Sequence, residues 1–144
     1  MIRLLGPGDE EVLALLAAEE PDFDVPGGSS PGEPTSDPAG YLADPGVLHW
    51  VAEEDGRVTG FLLAYLQRRR AGAATQLMVY EIGVREAYRR GGVGRALVGA
   101  MREWMEAHGV RKAWVLATPE AEPFYAACGF VRDYVPVQMT LSLD

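Results

Sequence analysis

The sequence predicts a mixed α/β fold, in which an antiparallel hairpin precedes one strand–helix–strand crossover. Two apolar strands are indicated at Val47 to Ala52 and at Val58 to Leu66, and the turn residues Glu54 to Arg57 lie between them. A third strand, Leu77 to Val84, is followed by a helical segment and then by a strand from Lys112 to Ala117. Strands joined through a helix favour parallel pairing, so we expect a mixed sheet rather than a repeating doubly wound one.

The elements before the hairpin are short and are followed by a long irregular segment. Residues 2–5 predict a strand, and Asp9 is placed to cap a helix whose apolar stripe begins at Val12. Residues 21–46 hold six of the ten prolines together with five acidic residues, which predicts a long acidic loop. One short helix is expected inside this loop, near Pro38 to Leu42.

The elements after the hairpin carry the clearest helical periodicity. The segment from Gly94 to about His108 predicts a helix that ends at Gly109. A second, shorter helix should run through Cys128, with Pro123 in its first turn. Residues 131–143 predict one or two final strands. The apolar stripe of the long helix consists of Val93, Leu97, Met101, Trp104 and His108.

Length and composition predict a single domain, 1–144, in the cytoplasm. The chain has 144 residues, of which 48% are hydrophobic and 24% charged, so a buried core is expected and whole-chain disorder is excluded. No apolar run reaches the roughly 20 residues that span a bilayer, and the N-terminal stretch does not resemble a signal peptide. The lone cysteine, Cys128, excludes a disulfide framework.

The net charge of −8 is unevenly distributed along the chain. Residues 1–60 hold 13 acidic residues against two arginines, whereas residues 61–144 hold 11 basic residues against eight acidic ones. An acidic surface argues against nucleic acid as a partner. The distribution suits a cationic substrate at the acidic half and an anionic ligand at the basic half. It is equally compatible with a surface that only maintains solubility.

The segment from Ile82 to Leu97 combines a strand end, a loop with glycines and arginines, and the start of a helix. Glycines allow consecutive backbone N–H groups to point at one place, and a helix N-terminus adds partial positive charge, so this turn predicts an anion site. The Gly-Lys-Ser/Thr ending of a P-loop is absent, and so are the third glycine and the acidic residue of a dinucleotide-binding turn. A glycine-rich helix start without a ligand is the alternative.

Three segments resemble the GNAT superfamily of N-acetyltransferases. Residues 89–94, RRGGVG, resemble the Arg/Gln-x-x-Gly-x-Gly/Ala signature that binds the pyrophosphate of acetyl-CoA. Residues 80–84, YEIGV, are similar to the family's fourth strand, where Gly83 suits the expected β-bulge. Residues 124–130, FYAACGF, resemble the Phe/Leu-Tyr-x-x-x-Gly-Phe segment. The order of elements agrees over nearly the whole chain, so the resemblance implies a GNAT-like fold.

The resemblance implies direct transfer of acetyl from acetyl-CoA to a primary amine. Glu81, the one acidic residue of its strand, is then the candidate base, and Tyr125 the candidate acid for the leaving thiolate. Backbone N–H groups of residues 82–84 are candidates for stabilising the thioester oxygen. A solvent-facing Glu81 and a merely packed Tyr125 are the alternatives. The implied cofactor-binding residues are Ile82, Gly83, Val84, Arg89, Arg90, Gly91, Gly92, Val93, Gly94 and Arg95.

No metal site is expected, because the two histidines, His49 and His108, lie far apart in sequence without companion acids at ligand spacing. His49 lies inside an apolar strand and His108 at a helix end, so both are expected to be structural. Cys128 is expected to be a small core residue, since direct transfer needs no nucleophilic thiol.

Within the superfamily the chain most resembles aminoglycoside 3-N-acetyltransferases of type I, which are associated with antibiotic resistance. The similarity includes residues 41–42, residues 60–65 and the excursion from Gln67 to Leu77 that leads into Glu81. That subclass usually has Asp where this chain has Glu81, which leaves the position of the acetylated amine open. Four acidic residues of the long loop are candidates for binding a small cationic amine: Asp22, Asp24, Glu33 and Asp37.

Two other functions remain open from the sequence. An acetyltransferase for protein N-termini or polyamines would use the same cofactor machinery. A non-catalytic module that senses acyl-CoA belongs to a different class, and the presence of both Glu81 and Tyr125 argues against it. A homodimer is compatible with the apolar segment from Val135 to Leu143, and so is an edge strand within one chain.

Overall fold

The computed structural model describes residues 1–23, 34–68, 70, 75–133 and 137–143. Its centre is a five-stranded sheet in the spatial order β1-β2-β3-β4-β5. Neighbouring strands are antiparallel except for β4 and β5, which are parallel, so the predicted hairpin, crossover and mixed α/β class are confirmed. The strands are β1 (Ile2–Leu4), β2 (Val47–Glu54), β3 (Arg57–Gln67), β4 (Gln76–Val84) and β5 (Lys112–Val115).

Helices cover both faces of this sheet. Five α-helices are described, together with a short 3-10 turn at Glu86–Tyr88: α1 (Glu10–Ala18), α2 (Glu20–Phe23), α3 (Pro38–Ala43), α4 (Val93–His108) and α5 (Glu122–Ala127). One apolar core lies between α4 and the sheet, around Leu62 and Leu97. A second core lies on the opposite face, where Leu13 and Phe23 pack near Phe61. Within the described residues no helix is both long and apolar enough to cross a membrane.

Local sequence accounts for the ends of the main elements. The β2–β3 turn uses Asp55 and Gly56 with φ of 51° and 75°, the left-handed geometry that favours a tight hairpin. Helix α4 ends at Gly109, which adopts φ of 68° as a helix-terminating glycine does. Along the predicted stripe of α4, Leu97 and Met101 are fully buried. At its end His108 is exposed and stacks on Trp104, with ring centroids 4.1 Å apart.

Three sequence predictions are wrong in detail. Asp9 begins α1 without capping it through its side chain, because its carboxylate accepts the Gly6 N–H at 2.8 Å and pairs with Arg3 at 3.0 Å. Residues 131–133 and 137–143 form no strand and are exposed, since no backbone hydrogen bond joins them to the rest of the described chain. Strand β5 also ends at Val115, two residues earlier than expected.

The predicted loop at 21–46 is only partly described. Its first residues complete α2, and the short helix expected near its end is α3, which begins at Pro38 as predicted. Residues 24–33 lie outside the described part of the chain, and so do residues 69 and 71–74 of the excursion before β4.

Candidate active site

The two parallel strands separate where the site begins. Strands β4 and β5 pair from Gln76 with Lys112 to Val79 with Val115, and residues 80–84 have no partner on β5. The opening leads into a cleft of about 770 Å³. One wall of the cleft is the free edge of β4, the start of α4 forms its floor, and residues 115–118 with α5 form the opposite wall. Unpaired strand-edge N–H and C=O groups can therefore hydrogen-bond a ligand that enters the gap.

The start of α4 is built to receive an anion. Gly92 occupies the N-cap position with φ of 86°. No side chain caps the helix, so the first backbone N–H groups of α4 have no side-chain hydrogen-bond partner. Arg90 also has a positive φ of 66° within this turn. Together with the partial positive charge of a helix N-terminus, this geometry fits a phosphate or pyrophosphate group.

Most residues that the sequence implicates in cofactor binding line this one cleft. The set comprises Ile82, Gly83, Val84, Arg89, Arg90, Gly92, Val93, Gly94 and Arg95, whereas Gly91 is outside it. Arg89 also donates hydrogen bonds to the backbone carbonyls of Val84 (3.0 Å) and Asp22 (3.4 Å), which ties the turn to β4 and to α2.

A β-bulge lies in β4 immediately before Glu81. Val79 pairs with Ala64 and Glu81 pairs with Leu63, so Tyr80 is an extra residue that β3 does not match. The prediction of a bulge at Gly83 is wrong, because Gly83 is regularly paired; a bulge can also be formed by a residue other than glycine.

The extra residue reverses the alternation of side chains along β4. Before it, Leu77 and Val79 are buried in the α4 core, and after it Ile82 packs against the same core. Because alternate residues point to opposite faces, Glu81 lies on the face away from α4. In a regular strand the position two residues after Val79 would have entered the apolar α4 core.

Glu81 is half-buried at the edge of the cleft, and its electrostatic surroundings disfavour ionisation. Its pKa is raised above the ordinary value, first by burial and then by the negative charge of Glu20. No described residue hydrogen-bonds to its carboxylate. Tyr41 and Tyr65 lie near enough that the charge of Glu81 contributes to raising the pKa of each phenol. The carboxylate thus faces a region lined by tyrosines and one further acidic residue.

Tyr125 lies on α5, across the cleft from β4. Its side chain is 7% exposed and packs edge-on against Phe124 and Phe130, with ring centroids 5.2 and 5.3 Å away. Burial raises its pKa to about 12, so the phenol keeps its proton throughout the neutral range. Its hydroxyl forms no hydrogen bond with the described residues, which leaves it available to a ligand in the cleft.

The other residues singled out from the sequence have structural surroundings. His49 is buried in β2, and its Nδ1 lies 2.9 Å from the hydroxyl of Tyr41. Asp37 accepts the Gly40 N–H at the start of α3, and Asp22 forms an ion pair with Arg85. Asp24 and Glu33 lie outside the described residues. Cys128 follows α5 and is half-buried.

Arg85 and Glu20 are the residues of this region that sequence reasoning missed. Arg85 follows β4 and is 2% exposed, although no local pattern distinguishes it from the other arginines of the turn. Glu20 lies in α2, and its electrostatic effect on Glu81 depends on the fold, which brings these distant parts of the chain near each other.

Among the described residues no group of three or more histidine, cysteine, aspartate or glutamate side chains could hold a metal ion. The site combines a helix start without a side-chain cap, a free strand edge, one carboxylate with a raised pKa and one protonated tyrosine.

Comparisons with known proteins agree with this geometry. The model of the acetyltransferase (GNAT) family matches residues 12–130. A search of curated proteins returns no match. Among solved structures, the chain resembles the aminoglycoside acetyltransferase meta-AAC0020 from an uncultured soil metagenomic sample, in complex with sisomicin, with a TM-score of 0.83 and 18% identity over 100% of this chain and 96% of that one.

Two further solved structures share the fold. Ribosomal-protein-alanine N-acetyltransferase from Brucella melitensis biovar Abortus 2308 matches with a TM-score of 0.75 and 19% identity, over 98% of this chain and 99% of that one. Aminoglycoside N-acetyltransferase AAC(6')-Iy in complex with CoA matches with a TM-score of 0.75 and 18% identity, over 99% and 100%. With the family model matching most of its length, the chain belongs to the GNAT family and is an acetyl-CoA-dependent N-acetyltransferase.

Proposed function

We propose that the acceptor is a primary amine of a compact, polycationic sugar of the aminoglycoside type. The observation that carries this proposal is the position of Glu81, whose carboxylate faces tyrosines and Glu20 at the mouth of the cleft. Two carboxylates near one another favour a substrate with more than one ammonium group, and tyrosine rings attract cations through their faces. The sisomicin complex of a similar fold supports the same substrate class.

The reacting amine has to lose a proton before it can attack, because amines of this kind are largely protonated at neutral pH. Glu81 takes up that proton, directly or through one water, and its raised pKa brings it closer to the operating pH than an ordinary carboxyl. Tyr125 supplies a proton to the departing sulfur, and backbone N–H groups of residues 82–84 stabilise the negative charge that develops on the carbonyl oxygen.

Acetyl-CoA, when bound, supplies an acetyl group activated as a thioester. The turn before α4 would hold its pyrophosphate, because the uncapped N–H groups beyond Gly92 face the cleft together with Arg90 and Arg95. The free edge of β4 would bind the pantetheine amides by backbone hydrogen bonds. Both features suit the chemistry of the group, an anionic pyrophosphate followed by an arm with amide groups.

Several finer features of the proposal rest on the sequence resemblance. These are acetylation at the 3-amino position in the manner of the type I enzymes, a role in antibiotic resistance and a homodimer, whereas the proposed cytoplasmic location rests on length and composition. The second candidate function is acetylation of a protein N-terminus or a polyamine, and the fold similarity to the ribosomal-protein-alanine N-acetyltransferase favours including it in the test.

The experiment is thiol release from acetyl-CoA by the purified protein with aminoglycosides, polyamines and N-terminal peptides. Release with aminoglycosides alone supports the proposal, and NMR of the product then identifies the acetylated amine. Release with peptides or polyamines alone would replace it with the second candidate. Tight acetyl-CoA binding without release from any amine would overturn both and favour an acyl-CoA-sensing module.

A further inference from the structure

Arg85 is a buried cation, and each of its three guanidinium nitrogens donates a hydrogen bond. Its Nε donates to the carbonyl of Val58 at 2.5 Å, and its terminal nitrogens bind Glu19 at 3.2 and 3.4 Å and Asp22 at 3.0 Å. Its guanidinium carbon also lies 4.6 Å from the ring centroid of Phe23. The arginine thus joins the end of β4 to the segment around α2 by ion pairs, hydrogen bonds and a cation–π contact.

Apart from Arg85, helix α2 is held by few described contacts, among them the hydrogen bond from Arg89 to the carbonyl of Asp22. It contains four residues, too few for a helix to be stable by itself, and Phe23 is its one buried residue. The Phe23 ring packs edge-on against Phe61 with centroids 5.4 Å apart. Arg85 binds two residues just before that single apolar anchor, Glu19 and Asp22, and contacts the Phe23 ring itself, so it links α2 to the end of β4 at three points.

Two residues of helix α2, Phe23 and Glu20, relate it to the candidate active site. The ring of Phe23 lines the cleft that also holds Glu81 and Tyr125. Glu20, three residues earlier, is the charged residue whose field raises the pKa of Glu81. Arg85 pairs with Glu19 and Asp22 on either side, so Glu20 is the acidic residue of this short run that Arg85 does not bind.

We propose that Arg85 is a positioning residue that holds α2 as the acceptor-side wall of the active site, and that it thereby sets the affinity for the amine. Binding of Glu19 and Asp22 by Arg85 leaves Glu20 to face the ammonium groups of the acceptor beside Glu81. The inference rests on the proposed function for the identity of the acceptor, although the attachment of α2 does not depend on it.

The test compares Arg85→Met with Arg3→Met. Arg3 also joins two carboxylates, Asp9 at 3.0 Å and Glu53 at 2.6 Å, but lies on β1 outside the cleft. With the best amine of the panel, we expect Arg85→Met to raise the acceptor KM at least about tenfold while the Kd for CoA changes by less than about threefold. Arg3→Met should leave both constants near those of the unchanged protein.

Hydrogen exchange measured by mass spectrometry supplies a readout that does not depend on turnover. The amides of α2 should exchange faster in Arg85→Met, whereas those of α4 should not change. Arg85→Lys serves as the milder variant if the first does not fold, because lysine keeps the charge but cannot bind Glu19 through two nitrogens. It should show the same changes with smaller amplitude.

Equal changes in the acceptor KM and the CoA Kd, or unchanged exchange in α2, would overturn the inference and leave Arg85 with a general structural role. If the unchanged protein acetylates no amine, the proposed function fails by itself. The exchange experiment then still decides whether Arg85 holds α2.

Discussion

Gly94 and Phe124 pack closely together where the floor of the cleft meets its α5 wall. A Cβ built on Gly94 would lie 2.9 Å from Cε1 of the Phe124 ring, closer than real Cβ contacts allow. The contact joins the first turn of α4 to α5, and hence the glycine-rich turn to the helix that carries Tyr125. Glycine is thus required at this position by packing against the aromatic ring, in addition to the backbone freedom that the turn itself needs.

Substitution Gly94→Ala should destabilise the fold and weaken binding of CoA, because either the Phe124 ring or the start of α4 must move. Overpacking of this kind typically costs about 1–3 kcal/mol in free energy of unfolding. Gly99→Ala is the matched control, since it lies in the same helix and a Cβ there meets nothing within 4 Å. It should increase stability by about 0.5–1 kcal/mol. Urea unfolding and calorimetric titration with CoA measure both quantities.

Substitution Glu81→Gln should lower kcat roughly 100-fold or more, the usual contribution of a general base, with little change in the Kd for CoA. The rate of the unchanged enzyme should rise with pH through the raised pKa of Glu81, because the base acts in its deprotonated form. The acid limb of its pH–rate profile should therefore lie above the pH at which an ordinary glutamate titrates.

The control for that experiment is Glu86→Gln, which removes an exposed carboxylate from the nearby 3-10 turn and should leave kcat unchanged. An unchanged kcat in Glu81→Gln would remove the base assignment and leave Glu81 as a residue that only attracts the cationic acceptor.

Substitution Tyr125→Phe should lower kcat while leaving the fold intact, since the hydroxyl makes no hydrogen bond within the described chain. We expect a loss of roughly 10- to 100-fold, smaller than for the base because a thiolate is a fairly good leaving group. Because the pKa of Tyr125 is raised to about 12, its loss of a proton should not limit the rate below about pH 11. Steady-state kinetics with a melting curve separate this effect from misfolding, and unchanged kcat would mean that Tyr125 only packs.

His49 should make the fold sensitive to mild acid. Burial lowers its pKa from 6.5 to about 4, so the unfolded chain takes up a proton at a higher pH than the folded protein does. Stability should therefore fall as the pH is lowered from about 6.5 to about 4, by up to about 3 kcal/mol from this residue. His49→Asn cannot titrate but keeps a hydrogen-bonding atom for Tyr41. Urea unfolding at several pH values should show a shallower dependence for this variant, and an identical slope would contradict the assignment.

The regular elements were predictable because their signals are local. Periodicity identified α4, and Asp55 and Gly56 indicated the hairpin turn. The C-terminal strands predicted within 131–143 do not form in the described residues 131–133 and 137–143, and there is a physical reason for this. An alternating apolar pattern shows that a segment is able to form a strand, but a strand also needs a neighbour to supply hydrogen bonds, and that neighbour is not encoded locally.

The glycine-rich turn and Arg85 also differ in whether their sequence signal is local. The turn proposed to bind phosphate is contiguous in sequence, so residues 89–95 could be proposed from spacing and resemblance, and all of them except Gly91 line the cleft. Arg85 could not, because its partners Glu19 and Asp22 lie 66 and 63 residues earlier in the chain. Such a network depends on how distant elements pack together, and no hydrophobic periodicity or motif within one segment predicts it.

The bulge at Tyr80 makes the direction of the Glu81 side chain depend on how β4 pairs with β3 as well as on residue type. An in-frame deletion of the Tyr80 codon would give regular pairing with Glu81 still opposite Leu63 and still directed away from α4. Loss of the bulge with Tyr80 retained would instead turn Glu81 into the apolar layer beneath α4. The same parity constrains any graft of β4 onto another scaffold, because a regular partner strand that accepts all nine residues would reverse the direction of this carboxylate.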